Sequence, residues 1–345
     1  MTSAETQLRL VARWDLDKTY LRTEFDTARD LIRTAVERPD RKRSVPGAAA
    51  LLRELSATGA HIHILSGSPR QMRSRLEEKL LIDRVRWNEL TLKPNLSNFA
   101  RLRFRAMRDQ LGYKLPTLLT ARARDQRLHP SSDTAELLVG DDAEADAFVY
   151  SLFADICAGR VTRSELVRIL ERGRLYADQA ERALTAVDDL VRAPVVRRIL
   201  IHLDKQSPPS RFDLYGARVV PFYNYFQAAL VLGEDGLLPV DGILRIAADL
   251  VREHRFDADA LARSYAELIR RGHAQGSLVS ELCAAQEELR ASGRSTAPEE
   301  LTRLTSGLSD VVGSTAMGTP SAPALDYLAL AEKHRAGKNR RSRLH

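Results

Sequence analysis

The sequence predicts a doubly wound α/β protein with a mainly parallel sheet, a helical insertion and a C-terminal helical region. Two observations carry the prediction. Short apolar runs alternate with segments whose apolar residues recur at helical spacing. Acidic and hydroxyl residues gather where the runs stop, which is where open parallel sheets hold their ligands.

The first strand is Leu8–Trp14, ending at Asp15 and Asp17. Leu21–Arg38 has helical spacing at Phe25, Ala28, Leu31, Ile32 and Val36, and Pro39 breaks it. Pro46-Gly47 opens a helix over Ala48–Thr58, which Gly59 stops. A compact strand, Ala60–Leu65, runs into Ser66-Gly67-Ser68-Pro69, and a charged helix spans Arg70–Leu81. Val85–Leu92 reads as a strand, Phe99–Leu111 and Leu115–Arg127 as two helices, and Ala135–Gly140 as a strand stopping at Asp141-Asp142. Asp146–Val191 is helical, with a capping box at Thr162-Arg163-Ser164-Glu165. Val195–Leu203 and Gly216–Pro221 return to the sheet, Phe222–Leu232 is an aromatic-rich helix, and Val240–Ala291 is helical throughout. The reading is thus a Rossmann-like catalytic domain over 7–236 with a helical excursion at 150–195, and a helical region over 237–291. A Ser/Thr/Gly/Pro-rich linker and basic tail, partly disordered, follow over 292–345.

With 345 residues, 44% of them hydrophobic and 29% charged, the chain can build a packed core. A net charge of +7 is mild for this length and suits an anionic ligand. No nucleic-acid motif accompanies it, so no nucleic-acid partner is expected. Cys157 and Cys283 stand far apart, which argues against a disulfide framework and for a reducing compartment. No signal peptide or membrane-length apolar run is visible, so the expected location is cytoplasmic.

Four motifs fall in order at predicted strand ends. They are Asp15-x-Asp17-x-Thr19, Ser66-Gly67-Ser68-Pro69, a lysine (Lys114 or Lys93), and Gly140-Asp141-Asp142-Ala143-Glu144-Ala145-Asp146. The order resembles the haloacid dehalogenase-like hydrolase superfamily, nearest to its phosphatidate phosphatase catalytic-domain (actin-patch-type) branch. That branch has a serine followed shortly by proline, as in Ser66–Pro69, and a GDSGQxDxxxY element. Residues 140–150 keep its Gly-Asp, Asp and Tyr spacing, with Asp142-Ala143-Glu144 in place of Ser-Gly-Gln.

The resemblance implies a haloacid dehalogenase-like fold and a phosphatase. Asp15 would be the nucleophile and Asp17 the general acid and base. Asp15, the Asp17 carbonyl, Asp141 and Asp146 (or Asp142) would hold Mg²⁺. Ser66, the Gly67 amide and Thr19 would bind the phosphate, and Lys114 rather than Lys93 would neutralise it. The chemistry is coherent on its own terms. An aspartyl-phosphate is an established covalent route, and carboxylates facing a phosphate need a cation between them.

The expected function is therefore Mg²⁺-dependent phosphomonoester hydrolysis through an aspartyl-phosphate, with a lipid phosphate such as phosphatidate as the branch's implication. The rival is a non-catalytic phosphate-binding or scaffolding protein on the same fold. His61 and His63 share a strand face and admit either metal ligation or burial. Tyr215, Phe222, Tyr223, Tyr225 and Phe226 admit either a substrate pocket or core packing.

Overall fold

The computed structural model describes residues 8–22, 42–93, 107–130, 133–143, 145–319 and 325–332. The strands are β1 (Arg9–Asp15), β2 (His61–Pro69), β3 (Glu89–Lys93), β4 (Thr134–Asp141), β5 (Val196–His202) and β6 (Val219–Phe222). They form one six-stranded sheet in the order β3-β2-β1-β4-β5-β6, with every neighbouring pair parallel. Connections run outward from β1 to β3, then return to β4 on the other side. The order reverses between β1 and β4, and the crevice beyond their C-terminal ends is the topological switch point of the sheet.

Two cores sandwich the sheet, as parallel strands buried on both faces require. Leu10, Ala12, Trp14, Ile62, Ile64, Leu137 and Val139 point into the first core. The helices over that face are α1 (Ala48–Ala57), α2 (Arg73–Ile82), and a C-terminal group. The group comprises α7 (Tyr225–Glu234), α8 (Val240–Glu253), α9 (Ala258–Arg270), α10 (Val279–Ala291) and α11 (Pro298–Val312). The second core holds Leu65, Leu138, Ile199 and Ile201 under α3 (Met107–Leu128), α4 (Asp146–Cys157), α5 (Arg163–Arg172) and α6 (Ala177–Asp188). The expected capping box at Thr162 is present, with Thr162 and Glu165 bonding reciprocally. Among the described residues, no helix is long and apolar enough to cross a membrane.

Several elements differ from expectation. Phe99–Leu111 and Leu115–Arg127 were expected as two helices, but 107–128 form one, with Pro116 inside it. Leu111, Leu115, Leu118 and Leu119 are fully buried on both sides of that proline, and this packing outweighs the missing N–H. Residues 99–106 lie outside the described residues, as do 23–41 from the helix expected over Leu21–Arg38. Leu21 itself is not helical, since it bridges Asp17 and, antiparallel, Ser44. Ser66–Pro69, expected to follow a strand ending at Leu65, is instead the last stretch of β2, with a register shift against β3. The strand expected at Val85–Leu92 begins at Glu89. The helix after β6 starts at Tyr225, because the Asn224 side chain accepts the Gln227 N–H and caps it. Residues 298–312, in the segment expected as linker, form α11, with Leu301, Leu304 and Leu308 in the first core. Phe222, Tyr225 and Phe226 are core residues, whereas Tyr223 is exposed.

Buried histidines set one expectation for stability. Burial, together with the neighbouring Arg13 charge, pushes the His63 pKa down to about 3. Burial with Arg271 and Arg198 nearby pushes His273 down to about 4, and burial lowers His202. Each group binds its proton in the unfolded chain near pH 6.5 but not in the fold. Stability should therefore be complete above pH 6.5 and fall as the pH drops below it, by up to about 1.4 kcal/mol per pH unit for each histidine. Urea unfolding at pH 7.5 and pH 5.0 measures this, and His63→Asn should flatten the difference.

Candidate active site

Asp15 ends β1 and Asp141 ends β4, on the two strands flanking the switch point. Both are 1% exposed. Beyond Asp15 the chain folds back on itself. Lys18 takes a left-handed conformation (φ 62°), and the amides of Tyr20 and Leu21 both bond the Leu16 carbonyl. This turn returns the Thr19 hydroxyl to the carboxylates, where its oxygen lies 3.3 Å from Asp15 Oδ2 and 3.4 Å from Asp141 Oδ2. The turn is held from behind. Trp14 stacks on Tyr225 with ring centroids 5.8 Å apart, and the Tyr225 hydroxyl donates to the Thr19 carbonyl. Burial holds the Tyr225 phenol well above its ordinary pKa, so it stays a donor. His202 Nδ1 lies 3.2 Å from the Lys18 carbonyl, a contact that requires the proton on Nδ1.

Asp146 opens α4 and is fully buried. Its Oδ2 accepts the Asp141 N–H at 3.1 Å, and Gly140 makes room for the approach. A Cβ at Gly140 would stand 2.2 Å from that same oxygen. The Gly-Asp-x4-Asp spacing thus has a steric reason: the carboxylate crosses the place where a side chain would be.

Asp15, Asp141 and Asp146 each offer an oxygen within 4.8 Å of the others, so the cluster could hold a metal ion. Lys114, inside α3, reaches between two of them. Its Nζ lies 2.9 Å from Asp15 Oδ1 and 2.5 Å from Asp146 Oδ1. Three carboxylates thus converge on one ammonium. An all-oxygen donor set of this kind suits a hard divalent cation. Saturating Mg²⁺ or Mn²⁺, at about 100 times Kd, should stabilise the fold by about 2.7 kcal/mol. A rise in Tm reads this, and Asp146→Asn should remove most of it.

The remaining expected residues are placed as follows. Asp17 is half-buried, and its Oδ2 accepts from the Ser66 hydroxyl at 3.0 Å and the Ser68 hydroxyl at 3.4 Å. Its carboxylate is not one of the three clustered ligands. Ser66 and Gly67, expected between the strand and the charged helix, both lie within β2. Ser66 Oγ accepts the Ser68 N–H, which turns its own proton toward Asp17. Gly67 is half-buried, with open space where a side chain would project. Lys93 does not share the Lys114 position; it ends β3, its Nζ 5.9 Å from the centre of the Tyr113 ring. Tyr113 in turn donates to the Ser66 carbonyl at 2.8 Å. Asp142, the alternative to Asp146, faces away: its carboxylate accepts the Lys205 and Ser207 amides at 2.7 and 2.9 Å. Glu144 lies outside the described residues.

Sequence reasoning missed a second buried layer on the same sheet face. Arg13, two residues before Asp15, bonds Glu136 through Nε at 2.7 Å and Asp125 through a terminal nitrogen at 2.8 Å. Another terminal nitrogen of Arg13 lies 3.0 Å from His63 Nδ1, and His63 Nε2 meets the Thr91 hydroxyl at 2.8 Å. These bonds occupy both His63 nitrogens, so the metal-ligand reading of His63 fails, and His61 pairs with Glu89. The missed signal was a charged residue inside each otherwise apolar strand, Arg13 in β1 and Glu136 in β4, facing the His63 already singled out in β2.

In comparisons with protein-family models, curated proteins and solved structures, nothing matches this chain.

Proposed function

We propose that this protein is a Mg²⁺-dependent phosphomonoester hydrolase of haloacid dehalogenase-like type, working through an aspartyl-phosphate on Asp15. One observation carries the reading: Asp15, Asp141, Asp146 and Lys114 converge, buried, at the switch point, with Asp17 two residues after Asp15 accepting from the Ser66 and Ser68 hydroxyls of β2.

In the proposed reaction an Asp15 carboxylate oxygen attacks phosphorus and the ester P–O bond breaks. The Asp17 carboxyl delivers its proton to the departing oxygen. Water then attacks the phosphoryl group, its proton passes to Asp17, and the bond from Asp15 to phosphorus breaks to release phosphate. Lys114 offsets charge on the phosphoryl oxygens, and Thr19 orients Asp15. A bound Mg²⁺ on Asp15, Asp141 and Asp146 would supply charge neutralisation of the phosphoryl group.

Burial suits a monoester. Asp15, Lys114, Asp141 and Asp146 are buried, while Asp17, Gly67, Asp142 and Ala143 are half-buried. The proposed reaction therefore places the phosphoryl group against the buried residues and its substituent toward the half-buried ones. A lipid phosphate such as phosphatidate is the substrate class that the branch resemblance implies.

The test is a Mg²⁺-dependent phosphatase screen across phosphatidate, nucleotides, sugar phosphates and phosphopeptides, counting released inorganic phosphate. Release that disappears with EDTA supports the reading. Binding of beryllofluoride in Mg²⁺ with no release from any ester would favour the non-catalytic phosphate-binding alternative.

A further inference from the structure

Each group of the proposed site arrives on a different element: Asp15 on β1, Asp141 on β4 and Lys114 on α3. Something must hold those elements in one register. Arg13 lies on β1 and shares a face with Asp15, as residues two apart on a strand do. Its guanidinium grips Glu136 through two nitrogens, at 2.7 and 3.0 Å, and Glu136 lies on β4. The same guanidinium grips Asp125, which lies on α3. Asp125 and Lys114 are about three helical turns apart, so they project from one side of α3 toward the sheet. The third contact, to His63, reaches β2, and His63 passes the chain of bonds to Thr91 on β3.

The partners are all dry. Arg13 is 1% exposed, Asp125 3% and Glu136 0%, with Arg122 at 3.7 Å from Glu136. A buried ionic cluster of this kind is a poor source of stability, because desolvation offsets its attraction; apolar residues of similar volume do as well or better. What the planar fork provides is fixed geometry.

We infer that Arg13, Asp125 and Glu136 are positioning residues: the Arg13–Asp125 pair seats Lys114 against Asp15, and the Arg13–Glu136 pair sets Asp15 against Asp141. The inference deepens the proposed function and rests on it for the roles of Lys114 and the carboxylates. It separates the two pairs by effect. Loosening the first displaces the ammonium and leaves the three carboxylates together. Loosening the second moves β1 against β4 and disturbs the carboxylates themselves.

The experiment compares full-length wild type, Asp125→Asn and Glu136→Gln for Mg²⁺ affinity, beryllofluoride affinity in saturating Mg²⁺, kcat and KM. Asp125→Asn should leave Mg²⁺ affinity unchanged while beryllofluoride affinity and kcat fall by about 10- to 100-fold. Glu136→Gln should lower Mg²⁺ affinity itself by about 10- to 100-fold. Variants that melt earlier but keep wild-type affinities and kcat would overturn the inference, as would equal losses of Mg²⁺ affinity in both. Should either amide variant fail to fold, Arg13→Lys keeps the charge without the fork. It should then lose both affinities, and wild-type affinities in it would overturn the inference. Wild type that binds both probes but releases no phosphate sinks the hydrolase reading and leaves the network to be judged on the affinities alone.

Discussion

Asp15→Asn should abolish turnover of an aryl phosphate in Mg²⁺, by roughly 10⁴- to 10⁶-fold, the scale at which enzymes lose activity when groups of a covalent catalytic unit are removed. The amide has the same volume and keeps an Oδ1 that can accept from Lys114, as Asp15 Oδ1 does at 2.9 Å. It has no anionic oxygen with which to attack phosphorus. The fold should therefore persist and the chemistry should not. Circular dichroism and Tm check the first half, and released phosphate the second. The variant should also fail to take up beryllofluoride, since that mimic needs the same carboxylate oxygen. Turnover at the wild-type rate in Asp15→Asn would mean that water attacks directly and that the phosphoenzyme mechanism is wrong.

Gly140→Ala should damage both stability and activity, although it adds a single methyl group and removes no functional atom. The new Cβ would lie 2.2 Å from Asp146 Oδ2 and 2.7 Å from its carboxylate carbon, so Asp146 has to move. It cannot move cheaply, because it is fully buried, accepts the Asp141 N–H and pairs with Lys114. Overpacking a buried site costs about 1–3 kcal/mol. Displacing a metal carboxylate should cost Mg²⁺ affinity and activity at least as much as losing a supporting residue, about 10- to 100-fold. Urea unfolding measures the first and calorimetric titration with Mg²⁺ the second. A Gly140→Ala protein with wild-type Mg²⁺ affinity would remove Asp146 from the ligand set.

The sheet was legible because its strands are apolar runs separated by helical spacing, and the order of connection follows from that alternation. The acids at the ends of β1 and β4 were legible for the same reason, since a strand end is a place the sequence marks. Lys114 and Lys93 could not be separated by spacing. The choice depends on α3 running unbroken through Pro116, which only tertiary packing decides. Ser66 was legible as a position but not as an orientation. Its hydroxyl proton turns toward Asp17, 49 residues away, because the Ser68 amide occupies its lone pair. The Arg13 network was hidden in plain composition: one arginine inside an apolar strand reads as noise until Asp125 and Glu136, 112 and 123 residues on, are brought to it.

The last described residues bear on how the molecule is made. α11 belongs to the first core, yet Tyr327, shortly after it, belongs to the second. Tyr327 packs edge-on against Phe148 near the start of α4, and its hydroxyl donates to Asp155 near the end of that helix at 2.7 Å. The helix that begins with Asp146 is therefore completed by residues almost 180 positions later. During synthesis the four motifs emerge first, and the segment that closes over α4 leaves the ribosome well after that helix. A nascent chain stalled before residue 325 should expose Phe148 and stay protease-sensitive around α4, and the site should mature only once Tyr327 has emerged.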